Sequence, residues 1–350
     1  MISTLGTVLD TAKWTFSTRR VSRSAVAAMD QAFARARPGD LILAQVDQIG
    51  QHRRVQLQTG RPSDIFPGDH VVLACGARYA PDQFEGLAEI AADGADLLAG
   101  GGCIGRMVAR NDRIRPATRL IPQGRLLDGD GQPVNLETFA MPEPTGPVDI
   151  PVIAVLGTAM NSGKTLATAQ LALGLRRAGW RVAALKATGT GAFGDFNEYT
   201  DTGAHFVADF TDAGMVTTYL EPHARVRRGI ERLLAASGSA GCDIAVVEVA
   251  DGLYQRETAA LIADPWFRDR ISGLVFACGD AVAAAGGVAE LARQGLVPDV
   301  LTGLLSCSPM AVREAEQATG ISVRRKSDLS DPAEANVFAL RAGADWRRAA

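Results

Sequence analysis

The residues with the clearest chemical signature are Gly157-Thr158-Ala159-Met160-Asn161-Ser162-Gly163-Lys164-Thr165. Residues 150–156 before them are mostly apolar and β-branched, as in a buried strand. After them an Ala- and Leu-rich segment runs to Gly179, as in a helix. A glycine-bounded loop joining a strand to a helix start gathers backbone N–H groups at the positive end of the helix dipole, which is where phosphate binds. Lys164 would reach the β- and γ-phosphates, and the Thr165 hydroxyl would sit on Mg²⁺. The candidate nucleotide-binding residues are Gly157, Thr158, Asn161, Ser162, Gly163, Lys164 and Thr165. The general motif places four residues between its glycines. Here there are five, since counting back from Gly163 puts the first position on Thr158 and the glycine one earlier. The competing reading is an ordinary strand–helix turn with a chance Gly-Lys-Thr, and the strand and helix on either side argue against it.

Other chemistry-bearing residues lie at the ends of apolar runs. Lys186 closes the run 181–186 and leads into Ala187-Thr188-Gly189-Thr190-Gly191. A lysine there, with Thr190, can bind an anionic acceptor or steady a moving phosphoryl group; alternatively it simply closes a strand. Asp195, Glu198 and Asp201 follow in a polar stretch. Mg²⁺ on a nucleotide takes one or two carboxylates, and Asp201, expected at a helix start, is the best placed, with capping as the alternative. Glu248 ends the otherwise apolar run 243–249, where a carboxylate needs a metal or a lysine as partner. Asp251-Gly252 lies at the same rim. His205 and His223 read as structural histidines.

These residues need a frame. Strands are expected at 150–156, 181–186, 243–249, 271–277, 300–305 and 321–324. Helices are expected at 164–178, 201–212, 223–236, 256–263, 281–294, 309–318 and 332–342. Such alternation specifies an α/β domain at 149–350, a mostly parallel sheet with helices on both faces. Ligands in such sheets bind beyond the carboxyl ends of the strands. Residues 1–148 read differently. A helix is expected over 24–36 from Val26, Met29 and Phe33, followed by short strands at 41–49, 54–58 and 70–75 between Gly and Pro turns. This is a smaller β-rich domain, barrel or sandwich. Gly100-Gly101-Gly102 reads as a flexible loop or tight β-corner, with close approach of a ligand or another chain segment as the other possibility. His52 and His70 read as surface or strand residues. Residues 128–149 have linker composition and set the expected domain boundary.

The 350 residues carry a net charge of −3, which offers no electrostatic footprint for nucleic acid or an acidic membrane. Five scattered cysteines without a Cys-x-x-Cys pair suit reduced thiols in the cytoplasm. No continuous apolar segment suggests a secretory signal or a membrane span.

Taken together, Gly157-Thr158 with Gly163-Lys164-Thr165, Lys186 followed by Thr190-Gly191, Asp201, Glu221-Pro222-His223, Glu248 and Ala277-Cys278-Gly279-Asp280 resemble the dethiobiotin synthetase group of P-loop enzymes, relatives of the cobyrinic acid diamide synthases. The resemblance covers about 149–310. It implies ATP and Mg²⁺, a homodimer, metal ligation by Thr165, Asp201 and Glu248, and phosphorylation of a carboxylate or carbamate. Catalytic roles would fall to Lys164, Lys186 and Thr190. The chain departs from the group where Ala159 and Asn161 replace acidic residues, and where Val249-Ala250-Asp251-Gly252 replaces a loop of small residues. The expected activity is ATP- and Mg-dependent phosphoryl transfer or ligation, as a kinase or ligase acting on a small, anionic metabolite. The alternative is a regulatory or chaperone-type NTPase that acts through a protein partner, and a third reading is a binding module whose nucleotide is structural.

Overall fold

The structure, a computed structural model, describes residues 2–344. The chain divides into two compact units. The first comprises residues 1–141, 190–193 and 210–221; the second comprises 142–189, 194–209 and 222–350. The chain therefore passes between units several times, and the short segments following Gly189 and Asp209 belong to the first.

In the first unit five strands close on themselves. They are β1 (Leu41–Gln48), β2 (His70–Cys75), β3 (Ala95–Ala99), β4 (Cys103–Arg110) and β5 (Thr118–Leu127). β2 pairs with β1, β1 with β5, β5 with β3 and β3 with β4, all antiparallel. β4 returns to β2 in parallel through Cys103↔Ala74 and Ile104↔Cys75. Of barrel and sandwich, the ring of pairings makes this a barrel. Alternate residues of β1 and β2 face two different cores, Ile42, Ala44, Val71 and Leu73 on one side and Leu41, Leu43, Val72 and Ala74 on the other. That is why these strands read as continuous apolar runs.

The helix expected over 24–36 is absent. Arg23–Ala25 and Phe33–Arg35 are single 3₁₀ turns, and between them Ala28–Asp30 pairs with β5. Met29 is exposed, so the helical spacing of Val26, Met29 and Phe33 does not mark a buried helix face. Gly100–Gly102 forms the β3–β4 turn, and a Cβ at Gly101 would lie 1.8 Å from the Gly191 oxygen, so close approach of another segment accounts for that glycine. Val134 and Leu136 are buried in the barrel's core, so the Pro- and Gly-rich stretch around them is partly core.

The second unit contains a six-stranded sheet with every pairing parallel: β6 (Val152–Gly157), β7 (Val182–Lys186), β8 (Phe206–Asp209), β9 (Ile244–Glu248), β10 (Gly273–Ala277) and β11 (Val300–Thr302). The spatial order is β8-β7-β9-β6-β10-β11. Helices α1 (Lys164–Arg177), α2 (Phe193–Asp201), α3 (His223–Ser239), α4 (Arg256–Ala263), α5 (Ala281–Arg293) and α6 (Pro309–Thr319) alternate with the strands. Pro332–Arg341 is helical as expected, and Pro265–Arg270 and Lys326–Leu329 are short helices the pattern did not reveal. Residues 321–324 make only an isolated bridge, Leu301↔Val323, where a sixth strand was expected. The sixth strand is instead β8, inside the expected helix 201–212; its Phe206, Val207 and Ala208 pair with β7.

Candidate functional site

β6 lies between β9 and β10, so its carboxyl end opens at the middle of the sheet. The chain leaves it through the 157–163 loop and enters α1 at Lys164. Gly163 holds φ +104°, a left-handed conformation that suits glycine, and supplies no side-chain cap to the helix. The first amides of α1 are thus left to an outside acceptor. Gly157 is also needed for space, because a Cβ there would come within 2.4 Å of Ser162 Oγ. That hydroxyl is buried and has no hydrogen-bond partner. Asn161 is exposed, with φ +64°, a conformation asparagine tolerates. Thr158 donates its amide to the Ala277 carbonyl, fastening the loop to β10. Thr165 is half-buried at the second position of α1.

Lys164 is only 5% exposed, and its ammonium folds back to donate to the Ala159 carbonyl at 2.8 Å. Burial lowers its pKa, and the charges of Glu248 and Asp251 oppose this without cancelling it. The counter-charge around Lys164 does not offset its burial, and a polyphosphate would add to it.

Lys186 and Glu248 are register partners on adjacent strands, so the sheet itself brings them together. Lys186 donates to Asp195 on the first turn of α2 and to Glu248 Oε1 at 3.4 Å. Burial works against the Lys186 charge, but Glu248 and Asp195 outweigh it and raise its pKa. The other Glu248 oxygen accepts from the Tyr199 hydroxyl. Glu248 is only 2% exposed, and the partner that sequence reasoning required is a lysine plus a tyrosine. Burial, then Asp195, Glu248 and Asp201, raise the pKa of Glu198.

The loop after β9 closes this side. Ala250 is pinned twice: its amide donates to Thr188 Oγ1 at 2.8 Å, and its carbonyl accepts from Thr258 Oγ1 at 3.1 Å. A Cβ at Gly252 would lie 2.4 Å from the Thr158 carbonyl, so this loop packs directly on the glycine loop. Asp251 stands between these anchors, with burial pushing its carboxyl up to about 6 despite Lys164 and Lys186.

The structure therefore gathers Gly157, Thr158, Ser162, Gly163, Lys164, Thr165, Lys186 and Glu248 around one strand-end site, with Asn161 exposed on the same loop. The other two candidates are Asp201 and Thr190. Asp201 does not open a helix; it is the exposed last residue of α2, and Asp195 meets Lys186 instead. The reversal arises because residues 193–201 form the helix and the chain then extends into β8. Thr190 belongs to the first unit, where it bridges Thr217. Tyr199 was missed by sequence reasoning. Its signal was the i, i+4 spacing from Asp195, visible only once a helix is assigned across Gly194 and Asn197. Among the described residues no three His, Cys, Asp or Glu groups are arranged to hold a metal by themselves. His223, at the start of α3, donates from Nε2 to Asp264 Oδ2 at 2.8 Å. Among the described residues no helix is long and apolar enough to cross a membrane.

No family model matches the chain, and no curated protein matches it. Similar solved structures include the signal recognition particle 54 kDa protein from Aeropyrum pernix K1 in complex with GDP, at 19% identity and a TM-score of 0.36, covering 57% of this chain and 47% of that one. The signal recognition particle receptor FtsY from Elizabethkingia anophelis is similar at 14% identity and a TM-score of 0.37, covering 55% and 66%. The same receptor in complex with GDP gives 15%, 0.32, 54% and 64%. The chain spans less than two thirds of the length of each.

Proposed function

We propose that the second unit binds a nucleoside triphosphate with Mg²⁺ and transfers or hydrolyses its terminal phosphoryl group. The carrying observation is that a buried lysine, Lys164, and a partly buried one, Lys186, share one charge network beside an uncapped helix start and an unpartnered Ser162 hydroxyl. The α1 amides, Ser162 and Lys164 would hold the phosphates. Lys164 would exchange the Ala159 carbonyl for phosphate oxygens. Mg²⁺ fits the charge balance: Asp195, Glu198, Glu248 and Asp251 outnumber the two lysines, and a triphosphate adds further negative charge. Thr165 and Glu248 would hold the ion, which would supply charge neutralisation at the phosphates. Lys186, kept in place by Asp195, Glu248 and Tyr199, would face the transferring group. Positioning and charge stabilisation carry most of such a reaction.

The acceptor can be a small metabolite, as the dethiobiotin synthetase resemblance implies. One observation favours the other reading, a nucleotide switch acting through a protein partner. The segments that continue from β7 and β8 at this rim belong to the first unit, so nucleotide sensed by Lys186 and Asp195 has a covalent route to it.

The test is calorimetric titration with ATP, GTP and their non-hydrolysable analogues, with and without Mg²⁺, followed by turnover assays. Stimulation of phosphate release by a metabolite pool supports the acceptor reading. Stimulation by protein alone supports the switch. Absence of nucleotide binding refutes both. Sedimentation with and without nucleotide tests the expected homodimer.

A further inference from the structure

Asp251 is a carboxylate of this cluster to which the proposed reaction assigns no individual role. It is one of three non-glycine residues with positive φ among those described, at +65°, and a second, Asn161, lies in the glycine loop itself. Glycine adopts this conformation freely, and aspartate and asparagine adopt it at a small cost, the aspartate side chain ordinarily offsetting that cost with a local hydrogen bond. Asp251 is nine-tenths buried. Its environment is burial plus the charges of Lys164 on α1, Lys186 on β7, Glu248 on β9 and Glu257 on α4, and among the described residues no hydrogen bond holds its side chain. A structural aspartate in a left-handed turn bonds its own backbone nearby, and this one does not. The neighbouring anchors, Thr188 and Thr258 on Ala250 and Gly252 on Thr158, fix the loop without help from the Asp251 side chain. The fold thus holds a largely buried carboxylate without a local hydrogen bond, in the electrostatic neighbourhood of Lys164, at a backbone position that glycine adopts at lower cost.

We propose that Asp251 is the residue that receives the acceptor: it takes the hydrogen bond, and then the proton, of an attacking O–H group. This rests on the nucleotide reading above and narrows it, because the acceptor must carry an exchangeable proton, as water or a hydroxyl compound does, whereas a carboxylate brings none. Asp251 would take the proton while the acceptor oxygen bonds to the terminal phosphorus. The bond from that phosphorus to the bridging oxygen breaks in the same exchange, leaving its electron pair on the nucleoside diphosphate.

The experiment uses the full chain with water as the acceptor. Three quantities are measured for the wild type, Asp251→Asn and Asp251→Gly: affinity for a non-hydrolysable ATP analogue with Mg²⁺, phosphate release from MgATP, and melting temperature without nucleotide. The expected result is affinity within about threefold, phosphate release lower by at least ~10²-fold in both variants, the scale of a lost general base, and a higher melting temperature for Asp251→Gly. A purely structural aspartate would instead lower the melting temperature when replaced by glycine. Undiminished release by the variants, background release by the wild type, or a lower melting temperature for Asp251→Gly overturns the assignment. Failure of the wild type to bind the analogue overturns the nucleotide reading itself.

Discussion

Each unit sets a cation between two carboxylates, and the two clusters behave in opposite ways. In the barrel, Arg125 is 7% exposed, bonds both oxygens of Asp30 at 2.7 and 3.2 Å, and lies 3.7 Å from Asp40. Its hydrogen bond to Asp30 lowers the carboxyl's pKa, and the same bond raises that of Arg125. Each partner is more charged because the other is there, as in an ion pair that holds structure. In the cluster at the strand ends of the α/β unit, Lys186 gains in this way. Lys164 is pushed toward neutrality, and Glu198 and Asp251 are pushed toward protonation, in each case first by burial. Groups that burial drives against their own charge cost stability, a pattern common at functional sites.

The contrast is open to attack at several points, and the largest effect should come from Lys164. Lys164→Ala should weaken nucleotide binding by at least ~10²-fold, the loss of a desolvated charge-assisted contact, and leave the melting temperature nearly unchanged. A large loss of stability would mean that Lys164 is structural. Next, Arg125→Met leaves Asp30 and Asp40 without their cation and should cost about 3–5 kcal/mol in denaturant unfolding. Nucleotide affinity of the folded variant should stay at the wild-type value. Equal loss of affinity would erase the distinction between the clusters.

pH separates them further. Asp251 has a folded pKa above its unfolded value, so its contribution to stability is fully present below about 4 and is lost as pH rises through about 6. Asp30 has a depressed folded pKa, so its contribution is present above about 4, the ordinary carboxylate value, and is lost as pH falls through the lower folded one. Melting curves from pH 3 to 8 should show Asp251→Asn flattening the decline on the alkaline side and Asp30→Asn removing the acid-side loss. Identical profiles for the two variants would contradict both assignments. The smallest effect belongs to the exposed pair of Arg106 and Glu89, 2.6 Å apart. Glu89→Gln should leave the melting temperature unchanged within error, since exposed pairs contribute little.

Much of the α/β unit was legible in the chain. The glycine loop, its strand and its helix follow from local features: β-branched runs, helical spacing, and glycines where a side chain would collide. The expected helices at 256–263 and 309–318 appear as Arg256–Ala263 and Pro309–Thr319 for the same reason. The segment 193–209 was not legible. Gly194, Asn197 and Thr200 are weak helix formers, so α2 forms against its local preference and is held by contacts such as those of Asp195 and Tyr199. In the barrel, 24–36 has helical spacing but no helix, because pairing of Ala28–Asp30 with β5 overrides it.

The amino-acid order alone determined that a strand, a glycine-bounded loop and a helix follow one another from 152 to 177, because that geometry depends on neighbours a few residues apart. Which side chains meet there was decided only in three dimensions. Sheet register sets Lys186 opposite Glu248, and the return of the 250–252 loop brings Asp251 to Lys164 and leaves Asp201 at the far end of its helix. Those pairings join residues far apart in sequence, and no local pattern encodes the distance between them.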